Sequence, residues 1–309
     1  NDTHGKLLAL KPDVTLSIIK QGEDAPGIKQ KVYYNENVYR VSEGTGHYKE
    51  IMQSGIECIG DVDLYDVFEV LSLAAQSLRL VSDNYVLEIS HLGIVSALLD
   101  ELDADQSLRR QIMQYASEKN THDLARLCAD RGVDDALTAK LTALITTYGK
   151  RSDVIARLES ICTSDAARDA LKELTQLSAL LDSVDGNEAI IFDFSVTNDM
   201  SYYNGIVFKG FIGGIPQSVL SGGQYDKLME KMKRQDRAIG FAVYLDRLSA
   251  YSEGWDVDTL LLTGDAGPAQ ILAAAESLPG SVLAAKSEPA DRTWKRKAIL
   301  ENGEVRYLD

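Results

Sequence analysis

The chain reads as an α+β protein: an antiparallel sheet flanked by helices, split by a helical insertion and followed by a small α/β unit. Three observations predict this. Extended, aromatic-rich runs surround a polar loop within residues 1–90. Gly and Pro almost vanish over 91–186. β-rich runs with paired glycines return over 187–254, leaving 255–309 as the last unit. A chain of 309 residues is long enough to bury one large core or two unequal ones.

Taken in order, Pro12 breaks the chain before a helix expected near Thr15 to Lys20. Val32 to Arg40 is rich in β-formers. After the loop Ser42-Glu43-Gly44-Thr45-Gly46, a second extended run covers Ser54 to Gly60, so the two form an antiparallel pair. Asp61 to Leu78 places Val67, Leu71 and Leu78 at helical spacing, and Asn84 to Ile89 alternates as a strand. In the insertion Ala, Leu, Asp, Arg and Lys dominate. Helices are expected to end at Gly132 and Gly149, and Ser164-Asp165 opens a long helix toward Leu181. Ala189 to Val196, Gly205 to Ile212 and Ile215 to Leu220 read as strands, the last two joined by a tight turn at Gly213-Gly214. Ile239 to Leu245 is a strand running into a helix at Asp246. The final unit reads β-α-β-α-β: Thr259 to Leu262, a helix through Glu276, Val282 to Ala284, a basic helix holding Lys295-Arg296-Lys297, and a terminal strand.

Composition narrows the function classes. Apolar residues make up 45% and charged residues 26% of the chain, ordinary for a globular protein. No run reaches the roughly 18 apolar residues of a membrane helix, and the first residues lack a signal-peptide pattern, so the expected location is the cytoplasm. Cys58, Cys128 and Cys162 are odd in number and widely spaced, and His4, His47, His91 and His122 are scattered. Neither set has metal-ligand spacing; no metal is expected. The net charge of −15 repels phosphate backbones. Beyond Trp255 nine acidic side chains outnumber six basic ones, so no nucleic-acid partner is expected.

The chemistry concentrates in Tyr202-Tyr203-Asn204-Gly205-Ile206-Val207-Phe208, Ser221-Gly222-Gly223-Gln224-Tyr225-Asp226, and Ala238-Ile239-Gly240-Phe241-Ala242-Val243-Tyr244-Leu245-Asp246-Arg247. A phenol packs on a flat ring and hydrogen-bonds at its rim, and Gly222 and Gly223 let backbone approach a ligand. Pro12-Asp13 with Thr15 reads by itself as the start of a helix. Gln53 and Glu57, at even spacing on one strand, point to one face. Arg40 and Arg247 suit anions.

In combination these motifs resemble the histidyl-tRNA synthetases, which have the class II aminoacyl-tRNA synthetase fold. Leu8-Ala9-Leu10-Lys11-Pro12-Asp13-Val14-Thr15 is similar to that family's stretch holding the α-amino group. Tyr39-Arg40, Gly46-His47-Tyr48-Lys49-Glu50 and Gln53-Ser54-Gly55-Ile56-Glu57 resemble its second class motif. The resemblance implies histidine binding by Asp13, Thr15, Gln53, Glu57, Tyr202 and Tyr203, and anion binding by Arg40 and Arg247. It also places a first motif, which builds a self-association interface, ahead of residue 1. Three departures bear on catalysis: Asn198 stands where the family has an activating Arg, His47 where it has a second Arg of the motif loop, and Tyr244 where it has Gly.

This pattern resembles most the regulatory subunits of ATP phosphoribosyltransferase, relatives of the synthetases in histidine biosynthesis. The implied role is non-catalytic and without cofactor: activating a short-form catalytic subunit in a hetero-oligomer and taking part in feedback by histidine. Two alternatives remain open. One is a divergent histidyl-tRNA synthetase forming histidyl-adenylate, with Lys209 as its replacement cation. The other is a synthetase-like histidine sensor or scaffold.

Overall fold

A computed structural model describes residues 10–22, 27–41, 47–102, 104–196, 202–248, 255–290, 292–301 and 303–308. The chain divides into two compact units, Asn1–Leu248 and Ser249–Asp309.

In the first unit, α1 (Thr15–Gln21) precedes the long hairpin of β1 (Gln30–Val41) and β2 (Tyr48–Gly60), then α2 (Leu64–Val81) and β3 (Tyr85–His91). Among the described residues eight strands form one sheet in the order β1-β2-β8-β7-β6-β3-β5-β4. Its last members are β4 (Tyr148–Gly149), β5 (Ile190–Asp193), β6 (Ile206–Ile212), β7 (Leu220–Gln224) and β8 (Arg237–Tyr244), with α9 (Asp226–Lys231) between the last two. Neighbouring strands are antiparallel except β3 and β5, which run parallel. Parallel neighbours need a long crossover. Here it is the helical run α3 (Leu92–Glu101), α4 (Gln106–Ser117), α5 (Thr121–Asp130), α6 (Asp135–Ile145), α7 (Arg151–Ile161) and α8 (Asp165–Leu181).

Local chemistry sets these boundaries. The Asp63 carboxylate accepts from the Tyr65 and Asp66 amides at 2.8 and 3.1 Å, and Asp66 returns the bond to the Asp63 amide at 2.9 Å. This reciprocal cap starts α2, whose Val67, Val70, Leu71, Ala74 and Leu78 are buried. Leu78 lies against Gly210 of β6, where a Cβ would meet it at 2.6 Å. One sheet face is therefore closed by α2. Asp105, Asn120 and Asp134 cap α4, α5 and α6 through bonds of 2.7, 3.1 and 2.8 Å. Cys58, Cys128 and Cys162 are buried and free, with burial pushing the Cys58 and Cys162 thiols up to about 11.

Several sequence expectations need correction. Gly149 does not end a helix: α6 stops at Ile145, and Gly149 (φ 127) belongs to β4, an edge partner of β5. Gly213-Gly214 is not a two-residue hairpin turn. The register Gly210↔Leu220 opens a longer loop, and strand pairing begins only at Leu220. Residues 189–196 yield a short strand followed by a turn, with the Asp193 carboxylate accepting from the Ser195 amide at 2.8 Å.

The second unit holds β9 (Val257–Leu262), α10 (Leu245–Leu248) having closed the first, then α11 (Pro268–Glu276), β10 (Val282–Ala285), β11 (Trp294–Glu301) and β12 (Glu304–Leu308). Its described strands order as β10-β9-β11-β12. The expected basic helix is a strand. Lys295-Arg296-Lys297 lie on β11, parallel to β9, because Ala298 and Leu300 alternate into a core with Leu261, Ala274 and Leu278.

Candidate functional site

On the sheet face away from α2, a cavity of about 270 Å³ opens over β2, β8 and β7, with α1 at its rim. Drug-sized ligands occupy pockets of roughly 300–1,000 Å³, so this one fits a single small molecule. Gln53 and Glu57 of β2 form its floor at 3% and 2% exposure. Between them Gly55 leaves room for the Tyr34 ring from β1, since a Cβ there would meet it at 2.4 Å. Opposite Glu57, Gly240 makes space for the carboxylate; a Cβ would lie 1.9 Å from Oε2.

Glu57 is caged. Its Oε1 accepts from the Thr15 hydroxyl at 2.5 Å and its Oε2 from the Tyr225 hydroxyl at 2.6 Å. Burial pushes its carboxyl up to about 7; the two hydroxyls pull it down, and the Asp13 charge pushes it up. At neutral pH this group can therefore hold or release a proton. Gln53 Nε2 is buried and has no hydrogen-bond partner among the described residues. Native interiors rarely leave such a donor unmet. Asp13 faces the cavity while its Oδ1 accepts from the Leu16 amide at 3.1 Å, which ties it to the start of α1.

The tyrosine wall is stapled to β7. Ring centroids of Tyr202 and Tyr203 lie 4.6 Å apart, and Tyr202 and Tyr225 5.9 Å. The Ile206 amide donates to Gln224 Oε1 at 2.6 Å. The Asn204 side chain and Asp226 exchange two bonds, of 3.0 and 2.9 Å. Gly205 is required because a Cβ would lie 2.0 Å from Gln224 Oε1. The spacing of Tyr-Tyr-Asn-Gly against Gly-Gly-Gln-Tyr-Asp is thus a set of mutual supports. Burial raises the phenols of Tyr34, Tyr202 and Tyr203 well above their ordinary range, so they act as neutral donors and packing surfaces.

Asp13, Thr15, Gln53, Glu57, Tyr202, Tyr203 and Arg40 all line this one cavity. Arg247 does not. Its guanidinium donates to the Ser218 carbonyl and lies over the Tyr244 ring, 4.3 Å from the centroid. Lys209 stays outside the lining as well; it sits on β6 between Glu88 and Ser221, and burial lowers its pKa. His47 leads into β2, outside the lining. Asn198 lies outside the described residues. The structure adds two tyrosines to the lining that the sequence had given no role of their own, Tyr34 and Tyr225, and places Tyr244 there too. Tyr225 carried a signal, its place in the Gly-Gly-Gln-Tyr-Asp motif; Tyr34 carried none beyond β-propensity. No His, Cys, Asp or Glu cluster suited to a metal occurs among the described residues.

A family model described as histidyl-tRNA synthetase matches residues 1–248, the same span as the first compact unit. The chain is 31% identical over 247 residues to the ATP phosphoribosyltransferase regulatory subunit of Oceanobacillus iheyensis. The match covers 79% of this chain and 60% of that relative, so the chain spans less than two thirds of its length. A solved ATP phosphoribosyltransferase regulatory subunit/histidyl-tRNA synthetase from Bacillus halodurans aligns with TM-score 0.69 and 26% identity, covering 89% of this chain and 73% of that one. An ATP phosphoribosyl transferase complex from Thermotoga maritima shares the fold, with TM-score 0.65, 19% identity and 79% and 83% of the two chains covered. With a family model matched across the whole sheet-bearing unit and the tyrosine-walled cavity inside it, the chain belongs to the histidyl-tRNA synthetase family.

Proposed function

We propose that this chain belongs to a regulatory subunit that binds histidine in the cavity over β2 and β8. In this reading it activates a short-form ATP phosphoribosyltransferase catalytic subunit, makes no aminoacyl-tRNA and works in the cytoplasm. The observation that carries the reading is the pair of buried polar groups on β2: a Glu57 carboxyl poised near neutrality beside a Gln53 amide with an unmet donor. Glu57 suits the imidazole, which it can meet with either partner holding the proton. Asp13 takes the α-ammonium, Arg40 the carboxylate, and Tyr202 and Tyr203 the ring face. The names of the similar proteins support the regulatory role, and no helix among the described residues is long and apolar enough to cross a membrane.

Feedback requires that histidine bind two states of the assembly with different affinity. The test has two parts. Activity of a short-form catalytic subunit should rise on adding the full-length protein and fall again with histidine. Calorimetry should show histidine binding that Glu57→Ala weakens about a hundredfold, a buried charged partner lost, and Gln53→Ala about tenfold. Unchanged affinity in both variants removes the pocket assignment, and absent activation removes the partner. Histidine-dependent exchange between ATP and pyrophosphate would favour the synthetase reading instead.

A further inference from the structure

We propose that Lys119, at the corner between α4 and α5, is a positioning residue for the cavity: its ammonium pins the helical insertion to the end of β5 and so steadies the 202–206 run that carries the tyrosine wall. The inference deepens the reading of this cavity as a small-ligand site and rests on it.

The α4–α5 corner is a Schellman turn. The Lys119 amide donates to the Ala116 carbonyl at 3.1 Å and the Asn120 amide to the Tyr115 carbonyl at 2.9 Å. The Asn120 side chain then accepts from the Asp123 amide at 3.1 Å and starts α5. Such a turn needs one residue in the left-handed region, most often Gly; here it is Lys119, at φ 51. A glycine would fit the backbone better but has no side chain to offer. The Lys119 ammonium donates to Asp193 Oδ2 at 2.7 Å and lies 4.4 Å from the centre of the Tyr148 ring, Tyr148 being the β4 partner of Asp193. Lys233 takes the same left-handed position after α9, at φ 61 with its amide on the Glu230 carbonyl, yet it is exposed. The two corners share one backbone geometry and differ in the ion pair.

Asp193 is 3% exposed, and a carboxylate that deep needs a cation beside it. It also shapes the turn after β5: its Oδ1 accepts from the Ser195 amide at 2.8 Å, and its carbonyl accepts from the Val196 amide at 3.1 Å. Val196 enters a small core with Leu92 and Val207, on which both Met113 of α4 and Tyr203 of the cavity wall pack. At the start of α3 the Leu92 amide donates to the Gly205 carbonyl at 2.9 Å. The insertion thus meets the tyrosine run twice, at Gly205 through α3 and at the Val196 core through α4. Lys119 secures the second contact, because it fastens the end of α4 to the strand that leads into that core.

The test is amide hydrogen exchange, read by mass spectrometry on the ligand-free full-length protein. The wild type is compared with Lys119→Gly, Lys119→Arg, Lys233→Gly and the double variant Lys119→Gly with Asp193→Asn. In Lys119→Gly, peptides over 202–208 should exchange about tenfold faster while peptides over β1 and β2 keep their wild-type rates. Lys119→Arg keeps the cation and should restore slow exchange. Lys233→Gly relieves the same backbone strain elsewhere and should change nothing over 202–208. The double variant should stay fast; slow exchange there would reduce Lys119 to compensating a buried charge and overturn the proposal. Having no unpaired carboxylate, the double variant decides even where the single variant does not fold. Unchanged exchange over 202–208 in Lys119→Gly also overturns the proposal, as does acceleration shared equally by β1 and β2, which marks a loss of global stability. Histidine titrated by calorimetry should bind Lys119→Gly at least about threefold more weakly than the wild type; equal affinity alongside faster exchange refutes a positioning role. Absence of histidine binding in the wild type overturns the reading of the cavity instead, and the exchange comparison still decides the pin.

Discussion

Replacing Glu57 with Gln isolates the electrostatic cost of the cavity floor. The Glu57 carboxyl titrates at about 7 in the folded chain against an ordinary 4.5, chiefly because burial disfavours its charge. Between these two values the folded state holds a proton that the unfolded state has released. Stability from this group is therefore fully present below pH 4.5 and is lost as the pH rises through about 7. The gap, at ~1.4 kcal/mol per pH unit, amounts to about 3 kcal/mol, most of it between roughly pH 5 and pH 8. Gln fills the same volume and does not titrate. Its amide mismatches one of the donors, Thr15 or Tyr225, and this adds an offset independent of pH. The slope carries the test. Urea unfolding of the ligand-free protein, followed by far-ultraviolet circular dichroism to read the helices of the first unit, should show Glu57→Gln gaining 2–3 kcal/mol on the wild type from about pH 5 to pH 8. A difference constant to within ~0.5 kcal/mol across that range would refute a carboxyl raised by burial.

Three further outcomes follow from the same geometry. Gln53→Leu removes a buried donor without a partner, so the ligand-free protein should gain about 1 kcal/mol in urea unfolding while histidine affinity in calorimetry falls at least tenfold; loss of stability with unchanged affinity contradicts the assignment. Histidine affinity should pass through a maximum between about pH 6 and pH 7.5, because imidazole and Glu57 together hold one proton in the complex; a plateau extending to pH 9 speaks against the pairing. Arg151→Ala should cost about 3 kcal/mol by thermal or urea unfolding, since this buried guanidinium donates to the Asn187 and Ile190 carbonyls at 2.6 and 2.7 Å and pairs with Asp182 at 2.5 Å.

What was legible in the sequence was whatever a local rule governs. Apolar residues at helical spacing between Val67 and Leu78 identified α2, and even spacing put Gln53 and Glu57 on one face. The basic stretch at 295–297 was misread because Lys and Arg run along a strand as readily as a helix when the next turn of chain, Ala298 to Leu300, is what enters the core. The Gly213-Gly214 turn chemistry is real, with the Ile215 amide donating to the Ile212 carbonyl at 3.1 Å, but β6 and β7 pair only from Gly210 and Leu220 onward. Tyr225 escaped for a related reason. Its hydroxyl reaches Glu57 across 168 residues of sequence, and only the sheet order β2-β8-β7 brings them together.

The same sheet order sets which positions lining the cavity the sheet itself constrains. Gln53 and Glu57 lie mid-strand on β2, hydrogen-bonded to β1 on one side and β8 on the other. A change there disturbs two ladders and the packing of Tyr34, Gly55 and Gly240 with them. Tyr244 closes β8 opposite Gln53, at the end of the β2–β8 pairing. Substitutions at Gln53 and Glu57 are thus tied to the stability of the sheet as well as to the shape of the cavity.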